Sequence, residues 1–165
     1  MNHLVSKETL LSAVTWCERH HTATVDLEAL LARIPSLRLR PKEARSALRK
    51  HLSGQERVRW IENAIVLSSN NAEGKHGIAK RLKECADILD AIATRALTPK
   101  EICKALEISN QERLRWTKDG RLKTSGTLTF AAGRRVTVPT YSARWVADLV
   151  KNHRIIDAWR KQDAA

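Results

Sequence analysis

Residues 97–112 read Leu97-Thr98-Pro99-Lys100-Glu101-Ile102-Cys103-Lys104-Ala105-Leu106-Glu107-Ile108-Ser109-Asn110-Gln111-Glu112, and two helix starts are written into them. Thr98 and Ser109 each precede a glutamate by three positions. In that pattern the hydroxyl accepts from the backbone N–H three residues on, and the glutamate carboxylate accepts from the N–H of the cap. Pro99 follows Thr98 at the first helical position, where a missing N–H costs nothing. The first helix has barely two turns before Ile108, so a turn falls at Glu107-Ile108 and the segment is expected to form a helix-turn-helix. Asp119-Gly120 closes the second helix, with glycine as its C-cap.

Toward the C-terminus, Thr127-Leu128-Thr129-Phe130 and Val136-Thr137-Val138 alternate on either side of Ala131-Ala132-Gly133, which predicts a hairpin. Pro139 is expected to end its return strand. Ser142 then caps one final amphipathic helix running through Trp145, Leu149, Ile156 and Trp159. Toward the N-terminus, Ile78, Leu82, Cys85, Leu89, Ile92 and Ala96 form the stripe of a long helix. The stretch 68–77 before it holds no apolar side chain larger than alanine and reads as a linker.

In the first half, Leu10, Leu11, Val14 and Cys17 after Ser6 predict a helix over 6–20. Leu27, Leu30, Leu31 and Ile34 predict a second from Asp26, ended by Pro35. Pro41 opens a third, with Ala44, Leu48, His51 and Leu52 on one side and Lys42, Arg45, Ser46 and Arg49 on the other, stopped at Gly54. Val58 and Trp60 then alternate against Ile65 and Leu67 around Glu62-Asn63-Ala64, a hairpin. Three helices and a hairpin is the order of a winged helix. The expected fold is mainly α with small β-hairpins: two tandem winged-helix-like units, 1–69 and 78–165, joined by a linker at 70–77 and finished by a C-terminal helix. Pro41–Leu48 resembles Pro99–Leu106, and Gln55–Trp60 resembles Gln111–Trp116. Because the second pair is expected as a strand in one half and a helix in the other, the repetition is read as chance.

The chain has 165 residues and a formal charge of +12. That length excludes large catalytic barrels and doubly wound dinucleotide folds. Residues 1–74 hold 11 basic against 8 acidic side chains, and residues 75–165 hold 19 against 10, so the excess lies in the second half. Such a balance suits nucleic acid phosphates, an anionic membrane surface or an acidic protein. No apolar run approaches the roughly 18 residues that span a bilayer. The start Met1-Asn2-His3 has no apolar signal segment, so the expectation is a cytoplasmic protein without membrane partners. Cys17, Cys85 and Cys103 are odd in number and set in apolar patterns, as expected of reduced, buried thiols.

The segment Ile108–Leu122 resembles the second helix and following turn of the excisionase and mercury-resistance-regulator (MerR) superfamily of winged helix-turn-helix proteins. Ser109, Arg115, Trp116, Lys118, Asp119, Gly120, Arg121 and Leu122 fall where members carry a capping serine, an Arg-Trp or Arg-Tyr pair and a Lys-Asp-Gly-Arg-Leu run. Leu97-Thr98 and Ile102 resemble the start of the family's first helix, and Gly133-Arg134-Arg135-Val136 its wing. The likeness covers about residues 97–150. It departs from the pattern at Glu107, where glycine is usual, and at Arg113, where an apolar residue is usual, and Leu122–Gly133 is longer than a compact wing. The resemblance implies duplex DNA binding and a prokaryotic or mobile-element regulator.

The residues themselves permit that chemistry. Arg113, Arg115, Lys118, Arg121 and Lys123 gather around the second helix, with Arg134 and Arg135 on the wing. Ser109, Asn110 and Gln111 at a helix N-terminus suit phosphate, and an amide side chain pairs with an adenine edge. Lys42, Arg45 and Arg49 form a comparable face on the third helix, open to DNA, to a protein or to a second copy. No catalytic residue, metal or cofactor is expected: glycine-rich phosphate loops and zinc-peptidase or serine-hydrolase motifs are missing from the sequence, and Cys17-Glu-Arg-His20 lacks a second ligand pair. Trp60, Trp145 and Trp159 fall on expected core stripes. The alternatives are an RNA-binding or ribonucleoprotein subunit and a winged-helix adaptor that binds protein. Val146 and Val150, read as exposed beside the Trp145 stripe, suggest a homodimer through the C-terminal helix.

Overall fold

The computed structural model describes residues 13–53, 57–69, 74–132 and 134–164, and its contacts divide the chain into two compact units, Met1–Ala93 and Thr94–Ala165. Helices dominate, with small antiparallel sheets beside them.

The first unit is built on a four-stranded antiparallel sheet of β1 (Val14–Cys17), β2 (Thr22–Asp26), β3 (Val58–Ile61) and β4 (Ala64–Ser68), in the order β1-β2-β4-β3. This corrects the helix expected over 6–20, of which 6–12 lie outside the described residues. Val14-Thr15-Trp16-Cys17 is rich in β-branched and aromatic side chains and alternates in burial. Trp16 pairs opposite the small Ala23. The stripe that suggested a helix is split by the strand's two-residue period, which sends Val14 and Cys17 to opposite faces. Cys17 is exposed, contrary to the expected burial, while Cys85 is buried and its thiol pushed up to about 11, chiefly by desolvation and then by Glu84.

Between β2 and β3 run α1 (Leu27–Arg33), α2 (Pro35–Arg38) and α3 (Pro41–Leu52). Asp26 caps α1 by accepting from the N–H groups of Glu28 and Ala29. Pro35 ends α1 as expected but also starts α2 at a first helical position. Gly54, the expected stop of α3, lies outside the described residues, and the helix ends at Leu52. The β3–β4 hairpin forms as expected, with Trp60 opposite Ile65 and a turn at Glu62-Asn63.

The linker and the domain boundary fall elsewhere than expected. α4 (Gly74–Thr94) begins inside the 70–77 stretch, of which 70–73 lie outside the described residues. Its Ile78, Leu82, Cys85, Leu89 and Ile92 join Leu27, Leu30, Leu48, Ile65 and Leu67 in one core. A polar stretch therefore connects β4 to the helix that covers its own sheet, and the boundary lies after Ala93. Buried Arg40 donates to the Ile92 carbonyl at 3.1 Å, fixing the end of α4 to the start of α3.

The second unit holds α5 (Pro99–Leu106), α6 (Asn110–Lys118), the hairpin β5 (Gly126–Ala132) and β6 (Arg134–Thr140), α7 (Ala143–Lys151) and α8 (Arg154–Ala164). Both capping boxes are formed, at Thr98 with Glu101 and at Ser109 with Glu112. Leu97 and Tyr141 exchange backbone hydrogen bonds of 2.7 and 2.9 Å, tying the start of α5 to the end of the hairpin. Pro139 does not end β6, which runs to Thr140, because its position opposite Thr127 is an edge that needs no donated N–H. The single C-terminal helix is two helices, broken where Asn152 leaves helical geometry and its side chain donates to the Asp148 carbonyl at 3.0 Å. Val146, read as exposed, is fully buried, which removes it from the surface proposed for a homodimer.

Glu107 closes α5 in the left-handed region at φ 54°, where a side chain is strained and glycine is not. Glu107→Gly should therefore stabilise the second unit by about 1 kcal/mol. An unchanged or lowered urea midpoint would show that the Glu107 side chain earns its place by another contact.

Candidate nucleic-acid interface

Sequence places α6 by its ends, and packing decides which of its sides is left outside. Trp116 and Arg113 are buried, with Trp116 fully enclosed. Asn110, Gln111, Leu114, Arg115 and Lys118 are exposed, and at about 100° per residue they share one arc of about 140°. Ser109 is exposed, but its hydroxyl accepts from the Glu112 N–H at 3.1 Å as a helix cap.

The inner side is fixed by charged groups the sequence had suggested for the surface. The Arg113 guanidinium donates to the Asn110 side-chain oxygen at 2.8 and 3.0 Å and to the Tyr141 hydroxyl at 3.0 Å. Tyr141 in turn shares a hydrogen bond with Thr117 at 3.0 Å. Arg113 thus occupies the apolar place of the resembling family as a buried, satisfied cation. The expectation that it reaches a phosphate gives way to this role. Arg121 is likewise engaged: it donates to Asp119, to Asp163 at 2.6 Å and to the Trp159 carbonyl at 3.2 Å, and lies over the Trp116 ring.

Asp163, on α8, is the common acceptor. It takes the Trp116 indole N–H at 2.8 Å, Arg121, and Arg115 at 2.9 Å. Hydrogen bonds from Arg121 first, then Trp116 and Arg115, hold its carboxyl below the ordinary aspartate range. One turn earlier on α8, Arg160 donates to the Glu112 carboxylate and to the Glu107 carbonyl, both at 2.8 Å, and its bond to Glu112 lowers that carboxyl in the same way. Trp159 meets Trp116 edge-on at 5.1 Å. α8 therefore grips both ends of α6 from within.

Of the sequence-selected residues, Gln111, Lys118 and Lys123 lie exposed, Asn110 is exposed but bonded to Arg113, and Arg115 is exposed while paired to Asp163. Arg135 is exposed on β6, directly opposite Ala131. The side chain of Arg134 lies outside the described residues, and the register sets position 134 opposite Ala132. In the first unit, Lys42 and Arg49 are exposed on α3, Arg45 is half-buried, and Arg49 lies 5.1 Å over the Trp60 ring. Leu114, 53% exposed in the middle of the polar arc, was not singled out. Its signal is the spacing to Trp116, since two residues along a helix cannot share a face with it.

No group of His, Cys, Asp and Glu able to hold a metal occurs among the described residues, and no helix among them is long and apolar enough to cross a membrane. Comparison with family models, curated proteins and solved structures finds no match for this chain.

The Asp163 cluster makes the second unit acid-sensitive. Its depressed carboxyl means that the folded chain binds fewer protons than the unfolded one between the folded value and the ordinary value near 4. The stabilisation is complete above that ordinary value and is lost as pH falls through the folded one. Asp163→Asn should lower the melting temperature at pH 7 and flatten its decline between about pH 5 and pH 2. A variant with the wild-type pH profile would show that Asp163 does not hold α8 to α6.

Proposed function

We propose that this chain is a non-enzymatic, duplex-DNA-binding regulator of the prokaryotic or mobile-element kind, acting through the helix-turn-helix and hairpin of its second unit. The observation that carries the reading is the outer arc of α6. It presents the Gln111 amide, a leucine, an arginine and a lysine, with Asn110 beside them bonded to Arg113, on a helix whose other side is locked by α8. Amide side chains suit adenine edges, and a rigid helix presents them in fixed register to a major groove. Arg115, Lys118, Lys123 and Arg135 supply exposed cations for phosphates. The order of residues 22–68, a strand, three helices and a hairpin, in which β2 pairs with β4, is compatible with a second winged unit that presents Lys42, Arg45 and Arg49.

Four phosphate contacts imply a slope of log K against log salt of about −3.6, so duplex affinity should fall about a hundredfold between about 50 and about 200 mM salt. Lys118→Ala should weaken binding to all sequences alike and reduce the slope by about 0.9. Arg121→Ala should act differently, lowering the melting temperature of the unit because it leaves Asp119 and Asp163 without their shared cation. Fluorescence anisotropy with labelled duplexes reads the first pair of effects and circular dichroism the third. Salt-independent binding, or a preference for structured RNA at equal salt, would overturn the duplex reading.

A further inference from the structure

The first unit holds a cavity of about 210 Å³ at the end of its sheet where β1 turns into β2 and β4 runs out. Trp16 and Ile78 give it apolar surface, and Glu18, His21, Thr22 and Ser69 give it polar edges. Alternation along β1 turns Trp16 to the core side of the sheet, where it is half-buried. A single 3-10 turn, Glu18–His20, joins β1 to β2, and His21 follows it in the left-handed region at φ 47°. That backbone is held from both sides. The His21 N–H donates to the Glu18 carbonyl at 3.2 Å, and the His21 carbonyl accepts from the Ser69 N–H at 3.0 Å. A strained residue persists only where its surroundings over-determine it, so this rim is rigid.

Size and charge decide what the cavity takes. A cavity of about 150 Å³ holds benzene, so this one accommodates a single ring with small substituents. The chain has 30 lysines and arginines, yet among the described residues none lines the cavity, and Glu18 is its one carboxylate. An anionic ligand would meet that carboxylate with no cation to offset it. A free organic cation would be repelled at long range by the formal charge of +12. A neutral ring tethered to a polyanion satisfies both conditions. Exposed Arg19 lies beside Glu18 in the turn, and exposed Arg57, whose carbonyl accepts from the Ser68 N–H at 2.9 Å, stands at the same end of the sheet. Both suit the phosphates of such a chain.

We propose that this cavity receives one unpaired cytosine of a single-stranded nucleic acid, stacked on Trp16 with its 4-amino group donating to Glu18. Stacking on aromatic side chains is how single strands are held without pairing. A carboxylate has about four acceptor sites, so Glu18 takes the amino group in addition to the bonds it already makes. The Thr22 and Ser69 hydroxyls are donors for the ring nitrogen and carbonyl of the same base edge. Thymine or uracil would set a carbonyl against Glu18 in place of the amino group. The activity belongs to the first unit and does not depend on the duplex reading of the second.

The test uses the full chain and a labelled strand of about twelve thymidines, with or without one central cytidine, in fluorescence anisotropy. The cytidine strand should bind about tenfold more tightly. Glu18→Gln, Trp16→Leu, which offers no ring, and Ser69→Leu, which fills the cavity, should each lower it to the level of the thymidine strand. Thr15→Ala, on the opposite face of β1, should leave the preference intact. Equal affinity of the two strands for the wild-type chain, or a preference that survives Glu18→Gln and Ser69→Leu with native circular dichroism, overturns the cytosine site and leaves the duplex reading standing, since that is read on duplexes through Lys118. A rise in melting temperature with benzylamine that cytidine does not produce assigns the cavity to a free organic cation and equally overturns the proposal.

Discussion

One carboxylate organises the second unit. Asp163 sits on the last helix and accepts from Trp116 in the middle of α6, from Arg115 one residue before it, and from Arg121 just beyond its end. The buried Trp116 indole would be costly to leave without an acceptor, and half-buried Arg121 and exposed Arg115 complete a network around the same carboxylate. Because Trp116 must face Asp163 and Arg113 must face Tyr141, the rotation of α6 about its axis has no freedom, and Leu114 and Lys118 are forced outward. The outer arc is a consequence of what the inner side binds.

This arrangement also separates two uses of arginine that a charge count merges. Arg113 and Arg121 hold structure, and their removal would unseat the helix, while Lys118, Lys123 and Arg135 lie exposed on the surface. Arg115 stands between, exposed at its tip and tethered to Asp163. A guanidinium set against a ring and two carboxylates serves geometry that an ammonium would not match, which fits an arginine at position 121.

What was legible in the sequence was local. The capping boxes at Thr98 and Ser109, the prolines at 41 and 99, the Ser142 cap and both hairpins depend on side chains within a few positions of the backbone they satisfy, and all formed. What depended on distant partners was misread. β1 is four residues long and becomes a strand only by pairing with β2. The polar run at 68–77 looked like a boundary because sequence cannot show that α4 returns to cover the sheet it has just left. Arg113 and Arg121 were assigned to the surface because their acceptors, Tyr141 and Asp163, lie 28 and 42 residues away. Leu114 was overlooked for the complementary reason, being apolar in a helix whose inner places were already filled by a tryptophan and an arginine.

The central claim is that α6, fixed from within, offers its outer arc to a duplex. Amide chemical-shift mapping of the full chain on titration with duplex DNA tests it most directly. The account predicts that the largest changes cluster at Gln111, Leu114, Arg115 and Lys118 and along β5–β6, with smaller ones around buried Ile102 and Leu106. Changes confined to residues before Ala93, or saturable binding that leaves the α6 arc unperturbed, would contradict it.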